Sequence, residues 1–157
     1  MSDITIRAAR RGDAKTLAAN NQAMALETEN LEIEWDTALA GVNAVLEEPS
    51  RGFYLVGIRG LDIIGQLMIT YEWSDWRNGD VWWIQSVYIA PEARRTKFFT
   101  ALYNAVLRRA HRAGNVVGIR LYVDRRNKRA QAAYGKIGMR RSAYWMYESL
   151  FEHNVKK

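Results

Sequence analysis

The chain has 157 residues, 48% of them hydrophobic and 25% charged, which is enough for one domain with a real core. It has no cysteine and only two histidines, His111 and His153. Disulfides, thiol nucleophiles and cysteine-ligated zinc are excluded, and no metal site is expected. No run of about 18 apolar residues marks a membrane span. The N-terminus MSDITIRAARRGD lacks the apolar core of a signal peptide, so a cytoplasmic protein is the expectation. The net charge of +6 calls for an anionic partner or serves as a solvated basic surface.

Ile4, Ile6 and Ala8 alternate with polar residues, so residues 4–8 are predicted as a strand. Asp13 is suited to cap a helix running to about Leu26, and Asp36 to cap a second ending near Pro49. FYLVGIR is a strand, Arg59-Gly60 starts a turn, and DIIGQLMITYEW is a longer strand. Asn78-Gly79 is a strong hairpin signal between Trp-rich segments, so residues 61–73 and 81–89 should pair antiparallel. After Pro91 and a basic turn, a helix carries Phe98, Leu102, Ala105, Val106 and Ala110 at helical spacing, and Gly114 ends it. VVGIRLYV is another strand, residues 127–136 form a short helix, and Gly138 follows its end. The aromatic-rich tail 142–151 reads as one or two final strands. The order β-α-α-β-β-β-α-β-α-β, with a further strand if the tail supplies two, specifies an α/β (α+β) fold. It is one domain over residues 1–157, a mixed sheet with helices on both faces.

Two of the basic groups fall at strand–turn–helix junctions: Arg94, Arg95 and Lys97 at the first, Arg125, Arg126, Lys128 and Arg129 at the second. The first-turn N–H groups of a helix and its dipole both favour a phosphate there. The second junction also brings Asn127 and Tyr134, at helical spacing with Ala130. A polyphosphate ligand is favoured over nucleic acid, because no RNP, zinc-finger or helix-turn-helix pattern is present. The residues point to a protein that holds a phosphorylated carrier and works on something attached to it. Asn127 is also suited to cap its own helix, and Tyr134 to pack beside Ala133 and Ile137.

The element order and two motifs resemble the GNAT superfamily of acetyl-CoA-dependent N-acetyltransferases over nearly the whole chain. The first motif stands as Val87-Tyr88-Ile89-Ala90-Pro91 followed by Arg94-Arg95-Thr96-Lys97-Phe98-Phe99. The second is Asn127, Ala130, Tyr134 and Gly138-Met139. The resemblance implies a mostly antiparallel sheet and acetyl-CoA as co-substrate. It implies that the backbone of Val87, Tyr88 and Ile89 pairs with the pantetheine arm like a missing strand. The turn Arg94, Arg95, Thr96, Lys97, Phe98 and Phe99 would hold the pyrophosphate, and Asn127, Ala130 and Tyr134 would contact the cofactor. Tyr134 would be the general acid for the departing thiolate, a phenol near pKa ~10 facing a thiol near ~8.5. Lys97 departs from the pattern, since it stands where the superfamily has the first glycine of the loop. Two readings stand: it suits the turn if its φ stays negative, with its ammonium on a phosphate or in solvent, or it crowds the site.

An amine near pKa ~10.4 needs roughly 4–5 kcal/mol to be neutral at pH 7, so a base is expected. Relatives place a Glu early on the strand before the Pro motif, but this chain has Trp82-Trp83 there. Glu72 and Asp75 are the nearest carboxylates, and each also reads as a solvated hairpin flank. Glu27, Glu29 and Glu32, near the link between the first two helices, form either an acidic lip for a cationic acceptor or an exposed connection. Among Trp73, Trp76, Trp82 and Trp83, alternation sends Trp82 and Trp83 to opposite faces. One face meets helices; the other, with Trp73 and Trp83, lines an acceptor pocket or a homodimer contact. Direct attack in a ternary complex follows from the lack of a cysteine or of a serine in a nucleophile setting. A small-molecule primary amine is the expected acceptor. The competing reading is a catalytically weak or inactive module of this fold that binds CoA or a protein partner, and a nucleic-acid binder comes third.

Overall fold

The computed structural model describes residues 4–151. β1 (Ile4–Ala8) leads through a 3-10 turn into α1 (Ala14–Glu29) and α2 (Trp35–Glu47). β2 (Phe53–Arg59), β3 (Asp62–Ser74) and β4 (Gly79–Ile89) follow, then α3 (Phe98–Ala113), β5 (Val116–Arg120) and α4 (Lys128–Lys136). The five strands lie in the order β1-β2-β3-β4-β5. Pairing is antiparallel except for β4 with β5, which are parallel because α3 carries the chain back across the sheet. The mixed, mostly antiparallel sheet with flanking helices agrees with the expected fold.

The sheet buries both faces. On one, Leu67, Ile69, Trp82 and Ile84 pack against Phe98, Leu102 and Val106 of α3. On the other, Tyr54 and Val56 pack against Leu17 and Ala18 of α1 and Val42 of α2. Trp82 is buried and Trp83 half-buried on the opposite face, as strand alternation requires. α3 is seated by one device. Phe98, its first residue, is 2% exposed and lies over Gly57 of β2 and Gly65 of β3, which are partners in the ladder. A Cβ at either glycine would overlap the Phe98 ring. The missing side chains are the socket that fixes the helix N-terminus.

Several local expectations are corrected. Asp13 does not cap α1. Its carboxylate accepts from the Arg10 N–H (2.7 Å) and from both terminal nitrogens of Arg7 (2.7 and 3.0 Å), which hold it below β1. α1 runs to Glu29 because Asn30 takes the left-handed conformation, and its N–H and that of Leu31 close on Leu26 and Ala25 carbonyls. Glu34 takes the N-cap position of α2, and Asp36 lies in its first turn, where a carboxylate suits the dipole. β5 ends at Arg120, so 121–123 do not continue the predicted strand. Residues 142–151 form no strand. Tyr144, Trp145 and Tyr147 are exposed, with Trp145 under the Arg125 guanidinium at 4.9 Å. Aromatic residues favour strands where a pleated surface half-buries them, and here the tail rests on none.

Candidate active site

β4 carries an irregularity at Ser86, whose φ is +50°. Gln66 is opposite Tyr88 but Met68 is opposite Gln85, so β4 has one extra residue there. Beyond the bulge β4 leans from its neighbour: pairing with β5 ends at Trp83–Arg120, and among the described residues Val87–Ile89 have no strand on that edge. A cleft of about 690 Å³ opens there, bounded by the end of β4, the N-terminus of α3, one face of α4 and the C-terminal part of α1.

Val87, Tyr88, Ile89, Arg94, Arg95, Lys97, Phe98, Phe99, Asn127, Ala130 and Tyr134 all line it. Thr96 does not. Its hydroxyl donates to the Ala93 carbonyl at 2.6 Å and closes the turn from outside. The turn itself is strained. Arg95 (φ +64°) and Lys97 (φ +63°) are both left-handed, so the condition of a negative φ at Lys97 is not met. Lys97 is nevertheless exposed, at the border of the cleft. Arg94 is committed elsewhere. Its Nε donates to the Ile89 carbonyl (2.9 Å), and Nη1 and Nη2 bind both carboxylate oxygens of Glu27 on α1 (2.7 and 2.8 Å). Among the described residues, the cationic groups left to face an anion at the α3 N-terminus are therefore Arg95 and Lys97.

Asn127 accepts from the Ala130 N–H at 3.0 Å, so it caps α4 while bordering the cleft. Tyr134, two turns on, packs edge-on against Phe99 with ring centroids 5.4 Å apart. Burial pushes its phenol above the ordinary value of 10.0, so it keeps its proton at neutral pH. His111 contacts the Leu107 carbonyl of its own helix and does not reach the cleft.

The remaining candidates lie outside the cleft. Glu72 is on the sheet face that α1 and α2 cover in part, and it accepts from Arg120 Nη1 (3.0 Å) and Trp83 Nε1 (3.2 Å). Asp75 is in the hairpin turn, where it accepts from the Trp76 N–H at 2.8 Å. Trp73 alternates to the face opposite Glu72, beside Asp80, and so is not near Trp83. Glu29 is exposed at the end of α1, and it is Glu27 that forms the lip of the cleft. Sequence reasoning missed Arg120, the Arg94–Glu27 clamp and Gln66. Gln66 is fully buried; it accepts from Asn20 (2.8 Å) and donates to Asn21 (3.0 Å) and to the Leu17 carbonyl (3.2 Å), tying α1 to β3 beside the bulge. A lone Gln inside an apolar strand, DIIGQLMIT, was the available signal. Among the described residues, no helix is long and apolar enough to cross a membrane, and no group of three His, Asp or Glu is placed to hold a metal ion.

The structure is similar to that of a possible acetyltransferase from Clostridium difficile 630, with 42% identity, a TM-score of 0.88, and coverage of 96% of this chain and 99% of that one. It is also similar to a predicted acetyltransferase with acetyl-CoA from Clostridium acetobutylicum, at 18% identity, TM-score 0.78 and coverage of 96% and 99%. A third is the aminoglycoside N-acetyltransferase AAC(6')-Iy in complex with the bisubstrate analogue CoA-S-monomethyl-acetylneamine, at 14% identity, TM-score 0.78 and coverage of 96% and 99%. The last two likenesses concern the fold alone. No curated protein matches the sequence. The sequence profile of the acetyltransferase (GNAT) family matches residues 10–139. With the splayed β4 edge, the basic turn before α3 and the capped α4 in place, the chain belongs to the acetyltransferase (GNAT) family.

Proposed function

We propose that the protein transfers an acetyl group from acetyl-CoA to a primary amine of a small molecule, both substrates being bound together. The observation that carries this is the cleft itself. It joins a free strand edge, a helix N-terminus with two cationic side chains, and a half-buried phenol that is protonated at neutral pH. The dimensions and chemistry fit the co-substrate. The Val87–Ile89 edge, apart from the Ile89 carbonyl that Arg94 holds, offers backbone groups without a partner strand to an amide-bearing arm. The first-turn N–H groups of α3, with Arg95 and Lys97, suit a pyrophosphate. The acetyl-CoA and CoA-analogue complexes of the similar folds support the same reading.

The neutral amine attacks the thioester carbonyl carbon; a C–N bond forms, the C–S bond breaks, and the electron pair leaves on sulfur. Tyr134 donates its proton to that sulfur. The proton lost by the acceptor nitrogen passes to Glu72, directly or through water, and from there to solvent. Asp75 is the less favourable base because it lies in the hairpin turn, beyond the end of β3 and farther from the bulge than Glu72. A small acceptor is supported by the aminoglycoside moiety in the bisubstrate complex of the similar fold.

Calorimetry of acetyl-CoA binding at moderate salt tests the first requirement. Micromolar binding is expected, and much weaker binding of a pantetheine fragment lacking the nucleotide. Absence of acetyl-CoA binding would refute the reading, and would favour a non-catalytic module in which Lys97 has disabled the turn.

A further inference from the structure

Beside the cleft, on the α1/α2 face of the sheet, the ladder brings together residues that the cofactor cleft does not use. Thr70 is opposite Trp83 and Glu72 is opposite Val81, and Trp83 is in register with Arg120 of the parallel strand. Thr70, Glu72, Trp83 and Arg120 therefore share one face. Gln85, next on that face of β4, donates to the Thr70 hydroxyl at 2.5 Å and borders the bulge where the cleft begins. Trp83 and Tyr122 form an aromatic pair with centroids 6.1 Å apart. Above this floor, Glu72 and Arg120 stand 3.0 Å apart with 47% and 40% of their side chains exposed. Opposite charges are thus held side by side and half-wet.

We propose that this shelf is the acceptor site and that it takes a zwitterion, an α-amino acid, with its ammonium on Glu72 and its carboxylate on Arg120. The inference rests on the acetyltransferase reading and narrows its acceptor. In an α-amino acid only two bonds of about 1.5 Å separate the nitrogen from the carboxyl carbon. Its charge spacing therefore matches the Glu72–Arg120 pair, and the four charges alternate in sign. Glu72 has two oxygens, each with one partner, and so retains acceptor capacity. Arg120 uses one of its five donors on Glu72 and presents the rest. Trp83 and Tyr122 supply apolar surface for a side chain. A polycationic acceptor such as an aminoglycoside meets Arg120 within contact distance of Glu72, the carboxylate of the shelf among the described residues, on a chain of net charge +6. The exposed Glu29, Glu32 and Glu34 near the α1–α2 link draw any amine, so Arg120 is the residue that separates the two classes.

The test is an acceptor panel with the protein at saturating acetyl-CoA: the twenty amino acids, the amide and the decarboxylated amine of each one that is turned over, and spermidine and neamine. At least one amino acid is expected to exceed its own amide and decarboxylated amine by tenfold or more in kcat/KM. Arg120→Gln should close that gap, with thermal unfolding and acetyl-CoA affinity followed in parallel. Preference for the amide, the amine or a polycation overturns the proposal, and so does turnover of no amino acid. An Arg120→Gln variant that loses activity equally on acid and amide also overturns it, since that marks a staple between strands. These outcomes leave the acetyltransferase reading intact if acetyl-CoA binds, whereas failure of acetyl-CoA to bind removes both. If Arg120→Gln does not fold, the wild-type panel alone decides.

Discussion

Lys97 is the position where backbone conformation and ligand chemistry can be separated. It is left-handed and exposed, at the N-cap of α3. The left-handed region costs a residue with a Cβ roughly 1–2 kcal/mol. Glycine escapes that cost but loses roughly 0.5–1 kcal/mol through the greater freedom of its unfolded chain. Lys97→Gly should therefore stabilise the free protein by about 0.5–1 kcal/mol, or about 1–4 °C in Tm for a chain of this size. Lys97→Ala is the control, because it removes the ammonium and keeps the strain. Scanning calorimetry without ligand should rank Gly above Ala, with Ala near the wild type. Calorimetry of CoA binding then isolates charge. Both variants should bind several-fold more weakly at low salt, since an exposed charge pair is worth about 0.2–1 kcal/mol. Equal Tm values for the Gly and Ala variants would refute the strain argument. Tighter CoA binding by Lys97→Gly than by wild type would mean that Lys97 crowds the phosphate rather than contacting it.

Tyr134→Phe should lower kcat by at least about 10²-fold with CoA affinity nearly unchanged. Because burial raises the Tyr134 pKa above 10.0 and the protonated form is the active one, kcat should hold as pH rises to about 10, and an alkaline limb near pH 8 sensitive to this mutation would refute the assignment. Asp13→Asn should destabilise by about 1–2 kcal/mol at pH 7, because it breaks the paired bonds to Arg7. The Arg7 bonds lower the Asp13 pKa from 3.8, so that stability is present above about pH 4 and lost as pH falls through the depressed folded value; urea unfolding of wild type and variant should converge in acid. Gly65→Ala should overlap the Phe98 ring, shift the start of α3 and weaken both Tm and CoA binding, while Gly60→Ala, with open space around it but a positive φ, should affect Tm alone.

The strands and α3 are legible in the sequence because their patterns depend only on neighbours along the chain. Ile4 and Ile6 alternate, Phe98, Leu102 and Val106 recur at helical spacing, and Asn78-Gly79 turns the hairpin. The cofactor-side residues were legible through the motifs, since most of them sit on two short segments. What was not legible depends on partners far along the chain. Arg120 meets Glu72 48 positions away, only because β4 lies between their strands in one particular register. Arg94 reads as a phosphate ligand until Glu27, 67 positions away, occupies it. Gly57 and Gly65 read as weak points in strands until Phe98 is seated on them. Asp13 had two available uses, a helix cap or a partner for Arg7, and only the burial of that pair decides between them. The tail shows the converse case, in which a composition suited to strands forms none without a surface to lie on.

The strain at Arg95 and Lys97 follows from how the turn is anchored. On its N-terminal side Arg94 is clamped to the Ile89 carbonyl and to Glu27 of α1. On its C-terminal side Phe98 is locked over the two glycines of β2 and β3. Three residues must close the path between fixed points, and two of them do so at positive φ. Strain of this kind persists only where the surroundings over-determine it. The two strained residues are also the cations left to face an anion at the α3 N-terminus, because the clamp has used the charge of Arg94. Loosening either anchor should therefore relax the turn and scatter its N–H groups together. A Glu27→Gln variant, which frees Arg94, should gain a third mobile cation at the cleft and still bind CoA more weakly, because the geometry of the turn contributes more than its charge. Tighter binding by Glu27→Gln would reverse that order.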